Sequence, residues 1–304
     1  MGGEAVREAP ASVGDRRWRA VAEDVRLLGV TTRGAAEGAA RAHGAYAVAA
    51  AAMGRLLSAA ALLASDAKEA GSGVQLTADG GGPLGRVRAE ACADGLLRAR
   101  VDHAQVELPP APGGKLPVGA AVGRAGRLIV ERVDGAGIGY TSASDLVSGE
   151  LGEDVAQFLW ASEQVPSAVA LGVLVERDGS VAASGGLLVQ ALPGADPDRL
   201  EAMSARLESL RDLSWRLAEG QAIPDLLAWV VDKALPRLVE EPLHFGCRCS
   251  REHSRDLLRV VPGAERRQWA ADEGAEVVCH YCQTHYRFAS AEVAELASPG
   301  DPDP

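Results

Sequence analysis

The cysteines constrain this chain more than any other feature. Four of the five in 304 residues are gathered as Cys247-Arg-Cys249, then 29 residues, then Cys279-His-Tyr-Cys282. A C-x-x-C on a tight turn aims two sulfurs at one point. C-x-C does the same from an extended strand, because residues i and i+2 share a face. Two such pairs supply the four soft ligands of a tetrahedral zinc site, with metal–sulfur distances of about 2.3 Å. Cys247, Cys249, Cys279 and Cys282 are therefore the candidate ligands of one zinc ion per chain. His253, His280 and His285 lie nearby in sequence, but four cysteines already fill a tetrahedron. Clustered thiols and an odd total also point to a reducing compartment rather than a disulfide-stapled secreted domain.

Spacing alone leaves two readings open. One is a purely structural zinc knuckle, a module with too few apolar residues to fold without the ~10–16 kcal/mol that metal binding supplies. The other is a redox switch. Zinc keeps its sulfurs as thiolates, the oxidisable form, and two thiolates one residue apart can close a strained, labile disulfide.

Composition narrows the partners. With 47% hydrophobic residues the chain can bury a sizeable core, and its length suggests two domains. Aromatics are only 4%, so that core must be built from Ala, Val and Leu. A net charge of −11 disfavours generic nucleic-acid binding. Residues 1–20 mix charges without an apolar run, so no secretory leader is expected. Residues 45–64 are the most membrane-like, but they are alanine-rich with Arg55 in the middle, and they read as a buried helix.

Along the chain, residues 1–20 read as a disordered lead and 21–195 as an α+β core. Within that core, helical periodicity over 34–68 gives way to short β-prone runs at 74–77, 84–89, 96–101, 127–133, 169–175 and 187–192. A helix over 152–164 interrupts them. Residues 196–243 read as a helical linker region, whose helices are either simply packed or able to change their packing. Asp196 caps a helix with Pro197 in its first turn and an apolar stripe from Leu200 to Leu217, ended by Gly220. A second helix spans 225–235 before Pro236. Residues 244–297 form a small zinc-binding domain, with helices after Ser250 and Pro262 and two strands flanking the turn that holds Cys282. Residues 298–304 read as a disordered tail.

Other motifs are weaker. Gly80, Gly82 and Gly85 satisfy G-x-G-x-x-G, but a strand follows where the dinucleotide fingerprint needs a helix, so they mark a turn. The zinc-deaminase pattern needs H-x-E and P-C-x-x-C, and Val278 stands before Cys279. No catalytic residue is assigned and an enzyme is not expected. A zinc-ribbon regulator of nucleic acid would need a basic patch, whereas residues 244–297 carry seven arginines, no lysine and eight acids. A constitutive zinc-stabilised binding module is a third reading.

Resemblance decides among these. Phe245-Gly-Cys-Arg-Cys-Ser-Arg-Glu, Cys279-His-Tyr-Cys282 and Tyr286-Arg-Phe288 resemble the redox-switch domain of the thirty-three-kilodalton heat-shock chaperone family. Val74-Gln-Leu-Thr, Gly81-Gly-Pro-Leu, Ser162-Glu-Gln-Val-Pro and Ser184-Gly-Gly-Leu-Leu-Val-Gln-Ala-Leu-Pro-Gly resemble its upstream segments, so the similarity runs over about residues 21–297. The resemblance implies an ATP-independent holdase of the bacterial cytoplasm for unfolded client proteins under oxidative stress, with no nucleic-acid or membrane partner. It implies inactivity when reduced and zinc-bound. Activation follows oxidation to two disulfides, Cys247 with Cys249 and Cys279 with Cys282, with loss of zinc and unfolding of the zinc domain and linker. Members commonly dimerise on oxidation, which makes a homodimer a partner to test. The chain departs from the family in its extra lead, in Cys92 and in a strand around Leu97-Arg-Ala-Arg that lacks a Gly-aromatic ending. Cys92 stands outside the motif and reads as a small buried residue.

Overall fold

The computed structural model describes residues 14–137 and 139–296. It is α+β and divides into two compact units that meet in sequence between Phe245 and Gly246.

The first unit opens with a hairpin, β1 (Arg16–Ala22) and β2 (Val25–Thr31), followed by helices α1 (Arg33–His43) and α2 (Ala47–Leu63). Gly44 separates the helices at φ 55°, the left-handed conformation that glycine takes without strain. Next come β3 (Gly73–Gly81), β4 (Val87–Cys92), β5 (Leu96–Val101), the short α3 (Val118–Val122), β6 (Gly123–Val133) and β7 (Gly139–Asp145). Then follow α4 (Gly152–Glu163), β8 (Ser167–Val175), β9 (Val181–Ala191), α5 (Pro197–Ser209), α6 (Leu213–Ala218), α7 (Ile223–Val231), β10 (Val239–Pro242) and β11 (His244–Phe245). The strands form two sheets, ordered β10-β1-β2-β9-β8 and β11-β5-β4-β3-β6-β7.

Helix α2 packs against strands of both sheets. Its alanines explain how: a helix apolar on every side belongs in the interior, and small side chains let two sheets approach it. Gly54 marks the tightest point, where an added Cβ would lie 2.9 Å from Val173 Cγ2. This helix, extended to Asp66, is long and apolar enough to cross a membrane, yet 89% of its most apolar window is buried inside the fold. Arg55 reaches the edge, where it pairs with Glu150 at 2.5 Å.

The five-stranded sheet is apolar on both faces. On β9 the period-2 alternation sends Leu188 to the α1–α2 core and Leu187 and Val189 to a second core. That second core is closed by α5–α7, through Met203, Leu207, Leu213, Ile223, Leu226, Leu227 and Val230. The helices expected to form a linker over 196–243 are thus a packed layer of the first unit. Asp196 caps α5 as expected, accepting from the Asp198 N–H at 3.1 Å. The helix does not continue to Gly220. It stops at Ser209, and α6 restarts at Leu213 so that Leu210 and Leu213 both stay buried against the sheet. Gly172 makes room there, since a Cβ would lie 2.8 Å from the Ser214 nitrogen. Helix α7 ends at Val231, earlier than the expected 235, with Asp232 at φ 58° as its cap.

The expected disordered lead over 1–20 is corrected in part: Arg16 to Ala20 belong to β1, while residues 1–13 lie outside the described residues. The arginines of β1 obscured it. Arg17, with only 3% of its side chain exposed, donates to Glu241 of β10 at 2.9 and 2.6 Å and to the Ala61 carbonyl at 3.3 Å. Arg19 donates to the other Glu241 oxygen at 2.6 Å, and the Trp18 indole to Glu240 at 3.1 Å. The charges that read as solvated are paired with carboxylates more than 220 positions away. Asp15 accepts from the Gly34 and Ala35 N–H groups at 3.0 and 2.7 Å, capping α1 from outside the helix. Burial pushes its carboxyl up despite those bonds.

The second unit holds α8 (Arg251–Arg259), α9 (Gly263–Ala271), a hairpin of β12 (Ala275–Val278) and β13 (His285–Phe288), and α10 (Ser290–Leu296). Ser250 caps α8, accepting from the His253 N–H at 3.0 Å. Gly274 lies beyond the end of α9 at φ 94°. Among the described residues its buried apolar core is Leu258, Phe288, Val293 and Leu296, with Trp269, Val277 and Tyr286 partly buried around it. The expected tail over 298–304 lies outside the described residues.

Candidate metal centre

Cys247 and Cys249 sit on the extended segment before α8, and the exposed Arg248 between them puts both sulfurs on the other side. Cys279 and Cys282 sit on the turn between β12 and β13. That turn is held by Cys279 N–H donating to the Thr284 carbonyl at 3.0 Å and Gln283 N–H to the Cys279 carbonyl at 2.9 Å. Gln283 takes φ 56° to close it.

The four Sγ atoms lie within 4.8 Å of one another. Cys247 to Cys279 is 3.5 Å and Cys249 to Cys282 is 3.3 Å, and none is in a disulfide. A tetrahedron with metal–sulfur bonds of about 2.3 Å has edges of about 3.8 Å, so the spacing suits a zinc-sized cation. The donor set is all sulfur, which favours a soft or borderline metal over magnesium or calcium. All four sequence-derived ligands converge. His253 and His280 are exposed and outside the cluster, and His285 is drawn instead to Glu276, its Nδ1 3.1 Å from the carboxylate.

Proton affinities are divided unequally among the thiols. Burial opposes ionisation of Cys282, but the Thr284 hydroxyl and N–H and the thiols of Cys249 and Cys279 donate to it and bring its pKa down to about 6. Burial, with donation toward the other three sulfurs, pushes Cys249 up to about 12 against the pull of the Tyr286 hydroxyl. Burial also raises Cys279, helped by donation to Cys247 and Cys282 and opposed by the backbone N–H groups of Cys282 and Tyr281. Holding four thiolates needs a cation among them, so metal uptake must release protons and must weaken as pH falls.

Two hydroxyls were not found by counting cysteines. Tyr286 Oη lies 3.2 Å from Cys249 Sγ, and Thr284 Oγ1 lies 3.2 Å from Cys282 Sγ. A partial signal is period 2: Thr284 and Tyr286, two residues apart where the chain enters β13, share a face just after the turn that carries Cys282.

Cys92 lies elsewhere, buried at the end of β4, with its Sγ 3.4 Å from Glu90 Oε1. Cys92→Ala should therefore leave metal content and oxidative response unchanged within about 20%, with at most a modest loss of stability of about 1 kcal/mol from the deleted buried group. Loss of the oxidative response in this variant, measured by zinc release on peroxide treatment, would give Cys92 a role this geometry does not support.

The family model for the Hsp33 protein matches residues 15–289. The chain is 40% identical to the 33 kDa chaperonin of Deinococcus radiodurans over 284 residues, covering 92% of this chain and 96% of that one. It is 41% identical to the 33 kDa chaperonin of Acaryochloris marina over 291 residues, covering 93% and 96%. Among solved structures, the 33 kDa chaperonin (heat shock protein 33 homolog) of Thermotoga maritima superposes with a TM-score of 0.88 at 31% identity, covering 93% of this chain and 98% of that one. With the fold shared end to end and four cysteines converging in a C-terminal unit, the chain belongs to the Hsp33 family of chaperones.

Proposed function

We propose that this protein is an ATP-independent holdase of the cytoplasm, inactive while Cys247, Cys249, Cys279 and Cys282 hold one zinc ion as thiolates. Oxidation of those sulfurs to two disulfides then releases the metal and switches the protein on. The observation that carries this reading is the pairing of four convergent thiols with a core of four buried apolar side chains among the described residues. Such a core supplies no more than about 3–5 kcal/mol. Bound zinc supplies charge neutralisation of four thiolates and a cross-link between two segments. The chain's own part is to present the sulfurs on an extended segment and a turn, and to lose their thiolate form when oxidised.

We further propose the pairings Cys247 with Cys249 and Cys279 with Cys282. Cys247 lies 3.5 Å from Cys279 and Cys249 3.3 Å from Cys282, both across the motifs. Disulfides across the motifs would keep the two segments stapled, whereas disulfides within each motif leave them free to separate, as a switch requires. A homodimer of the oxidised form is part of the proposal. Nucleic acid is not: Arg251, Arg255, Arg259 and Arg287 are each ion-paired with a carboxylate, which disperses the positive charge of the second unit.

The test is light scattering from an unfolding client, without nucleotide, before and after peroxide. The reduced protein should leave aggregation untouched, and the oxidised protein should suppress most of it at near-stoichiometric amounts. Suppression that required ATP, or that was equal in both states, would overturn the reading.

A further inference from the structure

We propose that the hydroxyls of Tyr286 and Thr284 set how readily this site is oxidised, by donating hydrogen bonds to the sulfurs of Cys249 and Cys282. The inference rests on the reading of the four cysteines as metal-bound thiolates. A thiolate carries no proton, so at the observed 3.2 Å separations the hydroxyls must be the donors. The two sulfurs concerned are themselves 3.3 Å apart and come one from each motif, so both pairs of cysteines are engaged.

The positions are built into the hairpin. Tyr286 is in register with Val277 across β12 and β13, and its ring packs on the small core formed with Phe288 and Val293. The Thr284 carbonyl receives the Cys279 N–H. The Thr284 backbone and the Tyr286 ring are thus both held in place beside the cysteines.

Oxidation by a hydroperoxide draws on the electron pair these hydroxyls engage. The thiolate attacks one peroxide oxygen. A sulfur–oxygen bond forms as the oxygen–oxygen bond breaks, hydroxide leaves, and the sulfur becomes a sulfenic acid, oxidised by two electrons. A second thiolate attacks that sulfur, forms the disulfide and expels a second hydroxide. Each disulfide consumes one peroxide. A donor on the thiolate lowers its nucleophilicity, as outer hydrogen bonds tune metal ligands generally. The two hydroxyls thus hold the site back from weak oxidant.

The experiment uses the full chain loaded with cobalt(II) as a spectroscopic probe and with zinc for kinetics. Tyr286→Phe keeps the ring and removes only the donor. Its sulfur-to-cobalt charge-transfer band should move to lower energy, and peroxide should release zinc about three- to tenfold faster than from the wild type. Loosened packing alone would not move the band of a site that stays tetrahedral. Thr284→Val, at an exposed position, should act in the same direction, and it carries the test alone if Tyr286→Phe fails to hold cobalt. Wild-type loading with both the band and the release rate unmoved in the variants would overturn this proposal and leave the metal site standing. A wild-type chain that took up no cobalt would overturn the metal-site reading, and this inference with it.

Discussion

Cys279→Ser should empty the metal site and unfold residues 246–296 while the two sheets and α2 of the first unit keep their structure. The second unit loses one of four soft ligands, and with it most of the ~10–16 kcal/mol that a structural zinc contributes at neutral pH. What remains is a core of Leu258, Phe288, Val293 and Leu296, which at about 3–5 kcal/mol does not offset the ordering of the chain around it. The first unit has its own two cores, built without residues beyond Phe245. Zinc content should fall from about one per chain to near zero. Amide exchange should become fast over residues 246–296 and stay slow over β2, β9 and α2. Full metal retention in this variant would refute the ligand assignment.

Oxidation should open the α5–α7 layer as well as the metal-binding unit. Apolar surface is what a holdase offers to clients, and the helices that precede the metal-binding unit in sequence cover such a surface. Leu226, Leu227 and Val230 are buried against Leu27, Leu187 and Val189 of the five-stranded sheet. This places the hidden surface inside the first unit. Chain continuity carries the change there, because α7 is followed by β10, β11 and then Cys247. Peroxide should raise hydrophobic-dye binding several-fold and make residues 197–296 protease-sensitive with the kinetics of zinc release. Trp229 is 47% exposed already and would report little, whereas Trp18 is 9% exposed and sits in the core that α7 covers. A variant keeping only Trp18 should show a red-shifted emission on oxidation. If both disulfides form while residues 197–231 stay protected from exchange, the capture surface is not under these helices.

The four-cysteine cluster was legible in the sequence because its geometry is local. C-x-C and C-x-x-C each fix the relation of two sulfurs within a few bonds, and the helices between them need only bring the pairs together. Helix α2, strand β5, the Asp196 and Ser250 caps and the β12–β13 hairpin were legible for the same reason: periodicity and capping chemistry act over a single turn or strand. A period of two puts the Thr284 and Tyr286 hydroxyls on one face, but only the folded hairpin brings that face to Cys249 and Cys282.

What only the tertiary structure decided depends on partners distant in sequence. Strand β1 was hidden because Arg16, Arg17 and Arg19 read as solvated charges until Glu240 and Glu241 of β10 are set beside them. The break between α5 and α6, which periodicity alone would have run through, follows from the shape of the sheet beneath, where Gly172 admits the backbone at Ser214. The same holds for residues 197–231. Their apolar stripe announces burial, but a stripe does not name its cover, and only the assembled sheet shows that it is Leu27, Leu187 and Val189. Short-range stereochemistry therefore determined the convergence of the four cysteines, and long-range packing decided which apolar surface the helices of residues 197–231 cover.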